Sequence, residues 1–194
     1  DAKIEVAAER DVYKEVADLV PKWMQVLNGS AYDQAVNLYG IQYAMSYALR
    51  PLVSLSDSEL QAYRQSAYDR LKAEQTSEGG WSWYPGMKAS PYITSQIAIL
   101  LARANRPSTG YPLDESLLQA AMKFLDKEMT NRMAECKQKE LQPYVGETEV
   151  NYLYLCHLLD NKETPTIRYW RNQMGKDDVY AYTMYGKAVQ AQIL

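Results

Sequence analysis

Residues 75–94 read QTSEGGWSWYPGMKASPYIT, and the reading of the whole chain turns on them. Gly79 and Gly80 lead into Trp81, Trp83 and Tyr84; Pro85-Gly86 follows, and Ser90-Pro91 opens a new apolar run. Connections between helices are normally short and polar, because water satisfies their backbone groups. Three large aromatics in one connection mean that it folds inward against the helix ends it joins. Trp81 and Trp83 are therefore expected to be buried, sealing one end of a helix layer. Ser90 is the expected N-cap of the next helix and Pro91 its first residue, where the missing N–H is no loss.

Outward from that loop the pattern is helical nearly throughout. Upstream, Ser56-Asp57-Ser58-Glu59 is a capping box that starts a helix reaching about Glu74. Before it, a helix is expected from Tyr32 to Leu49, bounded by Asn28-Gly29-Ser30 and by Pro51. Residues 3–28 form one amphipathic stretch interrupted at Pro21. Downstream, Ile93, Ile97, Leu100, Leu101 and Ala104 share one face, and Pro107–Pro112 marks a turn. Asp114 is the expected cap of a helix carrying Leu118, Met122, Leu125 and Met129 at steps of four and three. Leu141–Gly146 breaks it; Val150, Leu153, Tyr154, Cys156 and Leu158 mark another helix, Thr164-Pro165 a short one, and Asp177-Asp178 the last. No segment alternates with period two for long, so the class is all-α. The expectation is a single α-helical domain over residues 1–194, with seven or eight helices in consecutive antiparallel pairs. A bundle, a superhelical stack and an α/α toroid share that pattern, and the inward-folding aromatic loop favours the toroid. A closed ring of six hairpins has more helices than this chain supplies, so the ring is expected to be partial or reduced.

Composition narrows the function. A net charge of −3 without any Lys/Arg run leaves nucleic-acid binding no electrostatic source. The longest apolar runs, such as Ile97–Ala102, are far shorter than a membrane span. The chain starts Asp-Ala without Met and stops in the helical run Gln190–Leu194, which reads as a piece excised from a longer multidomain protein. Seventeen tyrosines against one phenylalanine point to rings packed in grooves and at helix ends with their hydroxyls reaching water, or to an aromatic surface for sugars or peptides. Cys136 and Cys156 could form one bridge or stand as separate thiols.

Residue types remove most catalytic chemistries. The single histidine, His157, follows Cys156 on an apolar helix, where neighbours point about 100° apart, so a packed thiol and a surface imidazole are expected rather than a reactive pair. Cys-x-x-Cys, His-Glu-x-x-His, Gly-x-x-x-x-Gly-Lys-Ser/Thr and Gly-x-Ser-x-Gly patterns are all missing, so neither a metal nor a cofactor is expected. What is left is acids at helix starts: Glu147, Glu149, Asp177 and Asp178. They suit either an acid/base pair of the glycosidase kind or, more simply, caps that complement the helix dipole.

Two resemblances sharpen this. Gln75-x-x-x-Gly79-x-Trp81 is similar to the Gln-Trp repeat of terpene cyclases, which are α/α toroids. The longer segment GGWSWYPG followed by SPYITSQIAILLARA resembles the thioester domain of bacterial alpha-2-macroglobulin-like proteins. Gly79, Gly80, Trp81, Trp83, Pro85, Gly86, Pro91, Tyr92 and Thr94 carry that likeness; it covers most of residues 55–194 and is sharp over Gly79–Ala98. The resemblance implies a protease-trapping envelope protein, periplasmic or at the cell surface, with any membrane anchor outside this chain. The implied partners are other domains of the same polypeptide and proteases, not nucleic acid. Reactive members form an internal thioester from Cys-x-Glu-Gln, after a Tyr and near a helix start. The matching segment here is Tyr32-Asp33-Gln34-Ala35-Val36-Asn37, which puts Gln34, Val36 and Asn37 at the motif positions. Cys136 is followed by Lys-Gln-Lys and Cys156 by His-Leu-Leu, so neither thiol has the Gln an acyl thioester requires. The expectation is a non-enzymatic structural and interaction module. The alternatives are a toroidal enzyme acting on glycans or isoprenoids and a helical-repeat scaffold that binds peptides.

Overall fold

The computed structural model describes residues 12–23, 29–46, 49–105, 111–174 and 184–193. Among them are eight α-helices and no strands. The helices are α1 (Val12–Trp23), α2 (Ala31–Ala44), α3 (Asp57–Glu74), α4 (Pro91–Ala104), α5 (Ser116–Gln138), α6 (Glu147–Leu158), α7 (Pro165–Met174) and α8 (Met184–Ile193), with one 3-10 turn at Arg50–Leu52. The all-α class is thus correct.

Several starts have a local cause. Ser30 and Asp33 exchange bonds at α2: the Asp33 N–H donates to Ser30 Oγ at 3.4 Å, and the Ser30 N–H to Asp33 Oδ2 at 2.8 Å. Ser56 and Glu59 repeat the arrangement at α3, as the sequence pattern predicts. Ser90 Oγ accepts the Ile93 N–H at α4, and Thr164 Oγ1 accepts that of Ile167 at α7. Asp114 serves α5 from one residue further out than expected: its Oδ1 accepts the Ser116 N–H at 2.9 Å, while Glu115 holds the cap position without a side-chain bond.

Two expectations need adjusting. The helix expected over Tyr32–Leu49 ends at Ala44, and Pro51 lies instead in the separate 3-10 turn Arg50–Leu52. The chain instead turns so that Met45 and Val53 enter a small second core with Val20, Ile41, Ala44 and Leu60. Pro21 lies inside α1 instead of ending it. Asp177 and Asp178, expected to begin the last helix, lie outside the described residues, as do residues 3–11 and 24–28 of the expected first helical stretch and most of the Pro107–Pro112 turn.

The helices form two layers. Within one, α2 packs on α4, α4 on α6 and α6 on α8; in the other, α3 lies on α2, α5 on α4, and α7 on both α5 and α6. Polar ties give the directions. Gln42, late in α2, donates to the Ala104 carbonyl at the end of α4 (3.0 Å), and Asn151, early in α6, donates to Ser95 Oγ, early in α4 (3.3 Å). Hence α2, α4 and α6 run the same way. Arg64, early in α3, donates to Gln42 Oε1 at 2.7 Å, and Arg132, late in α5, pairs with Glu149, early in α6. The second layer therefore runs opposite to the first, as hairpins with short connections must. Helices α4 and α6 have neighbours on most sides, which is why Tyr152, Leu153 and Leu155 on α6 and Ile97 and Ala98 on α4 are all buried in one main core. The N-termini of α2, α4 and α6 share one end of the array, and the loop of residues 75–90 sits there.

Candidate functional site

The glycine–tryptophan turn is built as a latch. The Trp81 ring is fully buried, and its Nε1–H donates to the Leu71 carbonyl in the last turn of α3 at 2.9 Å. Its backbone N–H donates to Thr94 Oγ1 at 2.9 Å, and its carbonyl accepts the Ser90 N–H at 2.8 Å. Trp81 thus ties the end of α3 to the start of α4. Gln75 Nε2 donates to the Gly79 carbonyl at 2.8 Å and to the Leu117 carbonyl at 3.0 Å, which brings in the start of α5. Gly79 has φ +93°, and a Cβ there would lie 2.5 Å from the Ala120 carbonyl oxygen. At Gly80 a Cβ would meet Thr94 Oγ1 at 2.8 Å and Phe124 at 2.9 Å, so only glycine lets the turn approach both helices.

Trp83 corrects an expectation. It is 52% exposed and does not seal the layer. Its ring stacks on Tyr92 with centroids 5.7 Å apart and planes 12° from parallel, so one face is held and the other is presented outward. The reason is a bend: Trp81 fills the space against α3, and the chain bends at Trp83 and Tyr84, so the same-side placement that two residues would share in a straight extended segment is lost. Tyr84, 70% exposed, and Met87 continue the outer surface, and the turn closes through Ser82 Oγ donating to the Tyr84 carbonyl at 2.7 Å. Pro85 and Gly86 are exposed; Gly86 has φ +83° with open space around it.

These residues form one wall of a cleft of about 590 Å³. The opposite wall is Gly29, Ser30 and Ala31 at the start of α2 with Ala73, Glu74 and Thr76 at the end of α3. The segment marked by Gln34, Val36 and Asn37 begins at this cleft. Gln34 is buried and Val36 exposed, with Asn37 between, so the three do not converge on one point. Burial, then the nearby Glu147 carboxylate and Tyr32, push the Tyr92 phenol above its ordinary range. Tyr32, Tyr92 and Glu147, from α2, α4 and α6, therefore meet at the same end.

Glu147 and Glu149 part company. Glu147 is exposed; Glu149 is buried, with Oε2 accepting the Gly146 N–H at 2.9 Å and Oε1 paired with Arg132. Oε2 thus takes the capping role, while Oε1 faces the Arg132 charge. Cys136 and Cys156 are separate free thiols. Burial pushes the Cys156 thiol up to about 12, which leaves almost no thiolate at neutral pH. His157 is exposed, as expected for a surface imidazole.

The far end differs in kind. Gln42 and Arg64 hold the 111–112 strap: Gln42 Nε2 donates to the Tyr111 carbonyl at 2.7 Å and Arg64 Nη2 to that of Pro112 at 2.7 Å. A larger hollow, about 760 Å³, lies between the first half of α5 and the 158–164 turn. Lys123, Lys162, Glu115, Asp126 and Asp160 on its walls offset one another in sign, and Asp126 is held by the Tyr152 hydroxyl at 2.7 Å. Among the described residues no group of acids, His and Cys is spaced to hold a metal ion.

The sequence pattern located the loop but missed Glu74, Ser30 and Met87 as its neighbours in the cleft. Met87, a further large apolar residue in a connection that already holds three aromatics, was the available signal; Glu74 looks like any helix-end acid. No known protein family, curated protein or solved structure matches the chain.

Proposed function

We propose that the chain is a non-catalytic α/α-toroid module, partial or reduced, of a bacterial alpha-2-macroglobulin-like envelope protein. In that reading it serves as a structural and interaction surface in protease trapping without thioester chemistry. The carrying observation is the meeting of two sequence-marked segments at one end of the helix layer: the cleft has Ser30 and Ala31 on one side and Trp83–Met87 on the other. The alternation of parallel layer helices with antiparallel outer ones is what consecutive hairpins around an axis produce. At the position for a reactive cysteine stands Gln34, a buried amide whose Nε2 lies 3.5 Å from the Gly29 carbonyl. Acylation needs a thiol ester there, so restraint of a protease would come from enclosure by the larger protein. Its partners would be sibling domains and proteases, in the periplasm or at the cell surface.

Methylamine is the test. Treatment of the native protein, followed by intact-mass measurement and thiol counting, is expected to add no mass and release no new thiol. A methylamine adduct, or a thiol that appears only after treatment, would overturn the reading.

A further inference from the structure

The cleft at the aromatic loop has a chemical bias of its own, independent of any family reading. Only one charged side chain lines it, the carboxylate of Glu74, among the described residues. Glu74 is exposed and has no hydrogen-bond or ion-pair partner among them. It is the last residue of α3, where the helix dipole already disfavours an anion. A second carboxylate, Asp33, folds back over Gly29 at the α2 edge and accepts the Ser30 N–H. The facing wall is aromatic: Trp83 is braced from behind by Tyr92, and Tyr84 stands beside it in the chain. A braced indole face presents negative π density to whatever lies over it.

We propose that this cleft binds an arginine side chain carried on an extended segment of a partner protein. An anion would face the Glu74 carboxylate, with the Asp33 carboxylate beyond the α2 edge of the cleft. A neutral ring could stack on Trp83 but would leave the Glu74 charge at the α3 C-terminus uncompensated. A guanidinium does both jobs: it is flat and weakly hydrated, so it stacks on an indole, and its fork of N–H donors matches a carboxylate. Lysine supplies the charge but not the flat face. The volume, about 590 Å³, admits one long side chain and its flanking backbone.

The probe is the amide of acetyl-Gly-Arg-Gly, with its citrulline counterpart as a neutral isostere, each titrated into the native chain by calorimetry at low and raised salt. The arginine peptide is expected to bind at least about five-fold tighter than the citrulline one, with the gap narrowing as salt screens the charges. Trp83→Ala is expected to weaken it by about five- to thirty-fold. Trp83→Phe should keep much of the binding, and Glu74→Gln should remove most of the salt dependence. Both residues are exposed, and unchanged far-UV circular dichroism verifies that the variants fold. Equal affinity for the citrulline peptide, no binding of the arginine peptide at millimolar concentration, or binding indifferent to Trp83→Ala would each overturn the proposal. So would chitotriose, titrated in parallel, if it bound in a Trp83-dependent way while the arginine peptide did not.

Discussion

Replacing Trp81 by phenylalanine separates the latch from the surface ring two residues away. Three losses are expected. The Nε1–H bond to the Leu71 carbonyl disappears, but that oxygen also accepts the Gln75 N–H at 3.1 Å, so it is not orphaned and the loss stays near 1 kcal/mol. The smaller ring leaves a void of about 40 Å³ in a fully buried site, worth about 1 kcal/mol at ~24 cal/mol per Å³. Reduced apolar burial adds about 0.5 kcal/mol or slightly more. The total is about 2.5 kcal/mol, which for a chain of this length lowers the melting temperature by about 5–10 °C. Trp83→Phe is the internal control: at an exposed position it should change stability by no more than about 0.5 kcal/mol. Urea unfolding followed by far-UV circular dichroism compares the two. If Trp81→Phe cost no more than Trp83→Phe, the latch described here would not be what joins α3 to α4.

Two further outcomes follow from the same end of the molecule and from the core. Gly79→Ala should cost about 3 kcal/mol or more, since it combines a left-handed backbone with a Cβ aimed at the α5 main chain, whereas Gly86→Ala, with open space around it, should lose only about 1 kcal/mol; similar losses for the two in thermal melts would contradict the contact at Ala120. Stability should also fall in alkali. Burial raises the Cys156 thiol from 9.0 to about 12, so the folded state keeps a proton that the unfolded chain gives up. Its contribution is complete below about pH 9 and is lost between about pH 9 and 12, at about 1.4 kcal/mol per pH unit. The Tyr152 phenol, raised mainly by burial, steepens the decline above about pH 10. Urea midpoints that stayed level from about pH 8 to 11 would show that Cys156 is not buried as described.

Much of the fold was legible because its signals are local. Ser56 and Glu59, Ser90-Pro91 and Thr164-Pro165 mark helix starts within four residues, a distance over which side chain and backbone satisfy each other without help from the rest of the molecule. The helix expected to run to Leu49 ended at Ala44 for a less local reason. The packing of Met45 and Val53 into the second core accompanies the chain's departure from the helix. Likewise, the four-and-three spacing of Leu118, Met122, Leu125 and Met129 announced a buried face but not its partners. Tertiary packing supplied them, with α5 lying on α4 and α7.

At the site, sequence alone determined the turn: two glycines, an inward tryptophan and a capped proline start form a pattern whose parts touch one another. It could not assign opposite fates to Trp81 and Trp83, since composition treats them alike. Burial of one against Leu71 and stacking of the other on Tyr92 depend on the bend at residues 83–84, which carries the second ring away from the core that takes the first. Nor could sequence place Glu74 and Ser30 across from the loop. That juxtaposition requires α2, α3 and α4 to bring their ends together, and the energy that holds them there is spread over a core assembled from every layer of the chain.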